Sequence, residues 1–401
     1  YSVDPANDTG TTPTPGNPKP NIYNCTFAAL GPGVVLPGTG NHHVYSTQPT
    51  ISYTANPAAR TYGAANPAFS GTATGLVNGD TAADAYSGTL TFASTATAAS
   101  NAGSYDINGS GLTSGIGYKF AQAPANATAF TINPATLTYN ANAANRLYGA
   151  ANPALSGTVA GFVLGETQAT ATTGTLSFTT PAVANSNVGS YALNGGGLAA
   201  NNGNYVFVQA PANATAFTIN PATLTYTANA ANRLYGAADP AFSGTVTGFV
   251  LGETQATATA GALSFTTPAV ANSNVGTYAL NGGGLTANNG NYVFVQAPGN
   301  ATMFAINPAT LTYAANAANR LYGAANPALG GTVTGFVLGE TQATATTGTL
   351  GFTTPAVANS NVGTYSLNGS GLTANNGNYV FAQAPANVTA FTINPVQLTY
   401  T

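Results

Sequence analysis

Arg146-Leu147-Tyr148-Gly149-Ala150-Ala151-Asn152-Pro153 is the stretch on which the reading of this chain turns, because near-copies of it begin at Arg60, Arg233 and Arg320. The spacings are 86, 87 and 87 residues. Other blocks keep the same period. Strand-like openings fall at Ile51 to Thr54, Leu137 to Tyr139, Leu224 to Thr227 and Leu311 to Tyr313, and closing blocks run from Phe130 to Pro134, Phe217 to Pro221, Phe304 to Pro308 and Phe391 to Pro395. A unit of this length can bury a core of its own, so the pattern reads as tandem domains and not as a solenoid of dependent coils. The predicted organisation is a Pro/Gly-rich segment over residues 1–50, repeats over 51–134, 135–221, 222–308 and 309–395, and the opening strand of a further repeat, or a donated strand, over 396–401.

Within the second repeat, apolar and polar residues alternate or come in short runs. Examples are Thr136-Leu137-Thr138-Tyr139, Thr175-Leu176-Ser177-Phe178, Tyr191-Ala192-Leu193, Tyr205-Val206-Phe207-Val208 and Phe217-Thr218-Ile219. A period of two with β-branched and aromatic enrichment, bounded by Gly, Asn and Pro, predicts short strands. Helical periodicity is absent, although Gly161-Phe162-Val163-Leu164-Gly165-Glu166 has room for one helical turn. The fold class is therefore all-β: four small β-rich domains, each an Ig-like β-sandwich or alternatively a helix-poor β-grasp. The repeats join through Asn-Pro-Ala, as at Asn220-Pro221-Ala222, where proline fixes φ and pushes its predecessor to extended geometry. Such linkers predict a stiff array.

Composition narrows function. Only 4% of residues are charged, against about 25% in ordinary soluble domains. With 6 Lys and Arg in total, no basic stripe can neutralise a phosphate backbone or an anionic membrane surface. Hydrophobic residues make up 44% and aromatics 10%, enough for packed cores. No apolar run reaches the length of a membrane-spanning helix. Cys25 is the only cysteine, which rules out an intramolecular disulfide and leaves it unused or paired with another molecule. The chain opens at Tyr1 without methionine, which reads as a processed form or a piece of a longer protein.

Three blocks recur in fixed order: Tyr148-Gly149-Ala150-Ala151-Asn152-Pro153-Ala154-Leu155, Val159-Ala160-Gly161-Phe162-Val163-Leu164-Gly165-Glu166-Thr167, and Ser186-Asn187-Val188-Gly189-Ser190-Tyr191. Together they resemble the MBG-type repeat, in its Tyr-Gly-x form, of large bacterial surface proteins, including two-partner-secreted adhesins similar to filamentous haemagglutinin. The likeness covers residues 51 to 395. It implies an exported, extracellular, cell-surface setting and brings no catalytic residues with it.

Candidate sites are few because charges are few. Arg60, Arg146, Arg233 and Arg320 each precede an acid, Asp80, Glu166, Glu253 and Glu340, by 20 residues. That offset predicts one structural salt bridge per repeat. Asn126, Asn213, Asn300 and Asn387 each stand two residues before a threonine, so they are candidate glycosylation sites. His42-His43 has no acid or cysteine cluster near it in sequence and reads as a surface turn. Asn194-Gly195-Gly196-Gly197 lacks the Lys-Ser/Thr of a phosphate-binding loop and reads as a turn needing positive φ. No catalytic, cofactor-binding or metal-binding residue is assigned, and no nucleic-acid partner or membrane insertion is expected. The reading is a non-enzymatic structural protein, the rigid stalk or fibre of a bacterial surface adhesin. Its rival is a module that binds glycan or matrix through repeat loops such as Asn201-Asn202-Gly203-Asn204-Tyr205. Self-association into head-to-tail filaments is a further expectation, from a donated strand at Gln397 to Thr401.

Overall fold

The computed structural model describes residues 21–29, 34 and 42–399. Pro5, Pro13, Pro15, Pro18 and Pro20, together with Tyr400 and Thr401, lie outside the described residues. Two compact units divide the chain. One comprises Tyr1–Ala144, Pro153–Ala182 and Ser190–Thr218, the other Asn145–Asn152, Val183–Gly189 and Ile219–Thr401.

In the first unit, repeat 1 has eight strands: β1 (Thr50–Ala55), β2 (Ala58–Thr61), β3 (Gly71–Thr74), β4 (Ser87–Ala93), β5 (Gly103–Tyr105), β6 (Asn108–Thr113), β7 (Lys119–Gln122) and β8 (Phe130–Asn133). They form three small sheets, ordered β3-β1-β7, β2-β8-β5 and β4-β6. β1 is antiparallel to β3 and parallel to β7, while β8 is parallel to β2 and antiparallel to β5. The all-β expectation holds. Both three-stranded sheets are mixed, however, and so differ from the antiparallel sheets of an Ig-like sandwich.

The alternation in sequence is what sets each strand face. In β1, Ile51, Tyr53 and Ala55 are buried while Thr50, Ser52 and Thr54 stay half-exposed. Pro134 alone separates β8 from the first strand of repeat 2, Ala135–Ala141. Proline cannot donate to a ladder, and pairing resumes at once: the Ala135 N–H donates to the Asn204 carbonyl at 2.9 Å. In the core of repeat 2, Tyr139 stacks on Phe207 at 5.2 Å between ring centres and meets the edge of Phe178 at 6.3 Å.

Two local expectations are refined. The Gly-rich run lies inside the strand Asn194–Ala200 and not in a turn. A Cβ on Gly195 would fall 2.5 Å from the Tyr139 side chain, and Gly197 takes φ +83° at an irregularity in the pairing, so the glycines serve close packing as much as backbone shape. The single helical turn is Gln168–Ala171, just beyond the stretch expected to hold it, and Thr167 and Thr170 cap it reciprocally.

In the second unit, repeats 3 and 4 repeat this plan, from Ala222–Ala228 to Phe304–Asn307 and from Ala309–Ala315 to Phe391–Asn394. Leu224, Leu280, Phe304 and Ile306 are the deepest core residues of the third repeat, and Leu311, Leu367, Phe391 and Ile393 those of the fourth. Val396 to Thr399 are exposed and form no strand.

Candidate functional site

The arginines and acids expected to pair do not. Arg320 is buried, and its guanidinium donates from Nε to Asn326 Oδ1 (2.7 Å), from Nη1 to the Leu321 carbonyl and from Nη2 to the Val357 carbonyl. Its Cζ lies 6.0 Å from the centre of the Phe391 ring. Arg60 and Arg146 make the same three kinds of bond, to Asn66, Thr61 and Thr97 and to Asn152, Leu147 and Val183. The arginine thus pins the Tyr-Gly loop to the loop before the fifth strand through neutral acceptors and a ring face. Only Arg233 meets an acid at that place, Asp239 at 2.7 Å, and this partner stands six residues away where the other repeats have asparagine. Because asparagine does the same work in three repeats, Asp239→Asn is expected to cost less than about 1 kcal/mol in chemical denaturation.

The four sequon asparagines are structural. Asn300 is 1% exposed; its Oδ1 accepts from Ala228 N (2.9 Å) and its Nδ2 donates to Tyr226 O and Gln296 Oε1, both at 3.0 Å. Asn126, Asn213 and Asn387 do the same in their repeats. Each side chain occupies the end of the central strand where the parallel ladder has run out, supplying the donor and acceptor the missing strand would have offered. The amide nitrogen that a glycan would need is buried and engaged, which corrects the glycosylation reading.

The glutamates join consecutive repeats and do not pair with the arginines of their own. Glu340 accepts two tyrosine hydroxyls, that of Tyr379 in its own repeat and that of Tyr235 in the preceding one, the latter at 3.0 Å. The two rings meet edge to face at 5.5 Å. Beside them Asn378 takes the Val275 N–H on Oδ1 (2.9 Å) and donates to Asn274 Oδ1 (3.0 Å), again in the preceding repeat. Glu253 joins Tyr292 to Tyr148, with Asn291 on Val188 and Asn187. Glu166 joins Tyr205 to Tyr62, with Asn204 on Ala102 and Asn101. Burial, then the hydrogen bond to the glutamate, pushes Tyr205, Tyr292 and Tyr379 up to about 12 from the ordinary 10.0.

This clasp explains why the motif reads Tyr-Gly. Gly236 has φ +76°, and a Cβ there would lie 2.4 Å from Val337 Cγ2 of the next repeat; Gly63 and Gly149 face Val163 and Val250 in the same way. On the opposing turn, Leu164, Leu251 and Leu338 hold φ of 56 to 57°, at a cost on the order of 1 kcal/mol each. Tyr-Gly-Ala-Ala-x-Pro is therefore a junction signature as well as a domain signature. The chain matches the MBG domain (YGX type) over residues 51–128, 137–215, 224–302 and 311–389.

The chain belongs to this MBG family. MBG repeats are a structural repeat type, not an enzyme family, and are typical of bacterial surface and adhesin-like proteins. No curated protein matches the chain. No helix among the described residues is long and apolar enough to cross a membrane.

The first MBG repeat has no repeat before it in this sequence, yet its clasp is closed. Asp80 stands at the glutamate position and accepts Tyr118 OH (2.8 Å) from its own repeat, then Tyr23 OH and Asn21 Nδ2, both at 2.7 Å, from the N-terminal segment. Tyr23 meets Tyr118 edge-on at 4.9 Å, as Tyr62 meets Tyr205 at 5.5 Å. Where later repeats carry the clasp asparagine, repeat 1 has Gly117, whose Cβ would lie 2.3 Å from the Tyr23 carbonyl. Residues 21–23 thus occupy the place of a preceding MBG repeat, and Tyr45 stacks on Tyr23 at 5.2 Å to hold them there. The segment expected to lack a core of its own contributes to that of repeat 1. The loop Asn201 to Tyr205, the candidate glycan contact, has Asn204 and Tyr205 buried in the clasp and Asn201 donating to the Thr170 carbonyl. Sequence reasoning missed these tyrosines, although a signal exists: Tyr148 and Tyr235 stand 105 residues before Glu253 and Glu340.

Proposed function

We propose that this chain is a load-bearing, non-enzymatic segment of a bacterial cell-surface adhesin or extracellular fibre, in which clasped MBG repeats transmit force along the polypeptide. The observation that carries the reading is the recurring glutamate held by one tyrosine from each of two consecutive repeats. Charged and chemistry-bearing groups are spent on structure: the arginines on loop carbonyls, the acids on tyrosines, the buried asparagines on strand ends. Across a junction, aromatic rings, a carboxylate and an asparagine all engage at once, so a pull on one repeat loads its neighbour through several bonds in parallel.

Single-molecule pulling on the full chain tests this. Successive unfolding events are expected, each releasing roughly 300 Å of chain for one repeat of extended residues. A glycan array probed with the same chain is expected to retain nothing. Unfolding at negligible force, or saturable binding of a glycan class that clasp substitutions leave intact, would overturn the load-bearing reading in favour of a binding module.

A further inference from the structure

The last repeat carries a complete clasp face that is left open among the described residues. Tyr322 is the counterpart of Tyr62, Tyr148 and Tyr235, which are 4–5% exposed, yet Tyr322 is 47% exposed. The loop beneath it is built in the same way. Its N–H donates to the Asn394 carbonyl at 2.9 Å, as that of Tyr235 donates to Asn307 at 2.8 Å, and Arg320 makes the same bonds as the other arginines. Gly323 keeps φ +79°, but where the earlier glycines face a valine, a Cβ on Gly323 would meet nothing within 4 Å. Val362 is 51% exposed, whereas Val188 and Val275 are half-buried under the clasp asparagines.

We propose that this face, formed by Tyr322, Gly323, Asn361 and Val362, is a docking surface for a further MBG repeat from outside these four. The occupant presents a Val-Leu-Gly-Glu turn and an Asn-Tyr pair, because that is the chemistry seated on the same face of repeats 1, 2 and 3. The glutamate accepts the Tyr322 hydroxyl, the asparagine accepts the Val362 N–H and donates to Asn361, and the valine fills the space over Gly323. A second copy of this chain is a poor occupant. The matching face of its first repeat is covered by residues 21–23, with Asp80 and Gly117 in place of Glu and Asn. The inference goes beyond the load-bearing reading and stands whether the array bears force or binds glycans.

Tyrosine nitration by tetranitromethane, mapped by peptide mass spectrometry, reads the surface directly. In the full chain Tyr322 is expected to react at least about tenfold faster than Tyr235, at a rate independent of chain concentration. Extending the chain after Thr401 with a second copy of residues 315–395, in which the copied Tyr322 is replaced by Phe so that only the original residue reports, keeps the repeat register and should slow Tyr322 to the rate of Tyr235. Glu340→Ala within the appended copy should restore fast nitration. If the extension does not fold, a full chain carrying Tyr23→Ala, Asn78→Leu, Asp80→Glu and Gly117→Asn, whose first repeat then offers the required face, is added in trans to the unaltered chain and should protect its Tyr322. Three results would overturn the proposal: Tyr322 as slow as Tyr235 in the unextended chain, slowing with concentration of that chain alone, or fast nitration in the presence of a folded partner face.

Discussion

Asn300→Ala is expected to destabilise the third repeat by about 3 kcal/mol, more than any single surface change in the chain. The side chain is fully buried and makes three hydrogen bonds. Truncation leaves the Ala228 N–H without a partner at the end of the central strand and takes from the Tyr226 carbonyl one of its two donors, the other being the Ala297 N–H, and a buried orphan costs about 1–3 kcal/mol. The Gln296 amide, which also holds Gly282 N and O, loses its brace. Native-state hydrogen exchange on the full chain resolves the effect by repeat. Amides of residues 222–307 should exchange about a hundredfold faster, with those of repeat 1 unchanged. Asn300→Asp is the sharper control, because it keeps the shape and the Ala228 acceptor while removing both donors, and it should cost as much or more. Uniform exchange across the substituted repeat and its parent would refute the strand-end role.

Much of the fold was readable because it rests on periodicity. Alternation in Thr136 to Tyr139, the bounding Asn-Pro, and the four recurrences of Arg-x-Tyr-Gly each correspond to a strand, a link and a loop in the structure. What the sequence hid was which groups meet. A single cation and a single anion at constant offset invite pairing, but Arg146 finds enough acceptors in Asn152, Leu147 and Val183 to be buried without an acid. Its would-be partner, Glu166, turns towards hydroxyl donors instead. In a tandem array, offset within the repeat and offset by one whole repeat are equally regular, so regularity alone cannot tell an internal pair from a junction pair. The sequon was ambiguous for a similar reason. Asn-x-Thr on a polar loop looks exposed, and the clue to burial was the glutamine four residues earlier, Gln122, Gln209, Gln296 and Gln383, which clamps each asparagine. The mixed pairing of the sheets left no local trace, since parallel and antiparallel neighbours of a half-buried strand demand the same alternation.

Glu340→Ala should uncouple repeats 3 and 4 while leaving each repeat folded. The carboxylate is the shared acceptor for Tyr235 and Tyr379, and without it two buried hydroxyls lose their acceptor, Tyr379 keeping only the Val337 N–H that it accepts, at a combined cost of about 2–4 kcal/mol. The cores lie elsewhere, so the loss is expected at the junction: in pulling experiments the first unfolding force falls, and Tyr235 becomes nitratable while the backbone amides of Leu311 and Phe391 stay protected from hydrogen exchange. The same clasp sets a pH limit. Tyr292 and Tyr379 are pushed up to about 12 by burial and by the hydrogen bond to the glutamate, so the folded state favours the neutral hydroxyl. A group raised above its unfolded value contributes stability that is complete below the unfolded value, here the ordinary 10.0, and is lost as pH rises towards 12. Thermal stability should therefore be level in this respect from neutral pH to about pH 9 and decline above pH 10 as phenolate formation favours the unfolded chain. Tyr292→Phe removes one of the two raised hydroxyls of its clasp, Tyr148 keeping the other, and should reduce that part of the alkaline decline, with Tyr379→Phe doing the same at the next junction. A decline of identical slope in both variants would show that the alkaline limit lies outside the clasps.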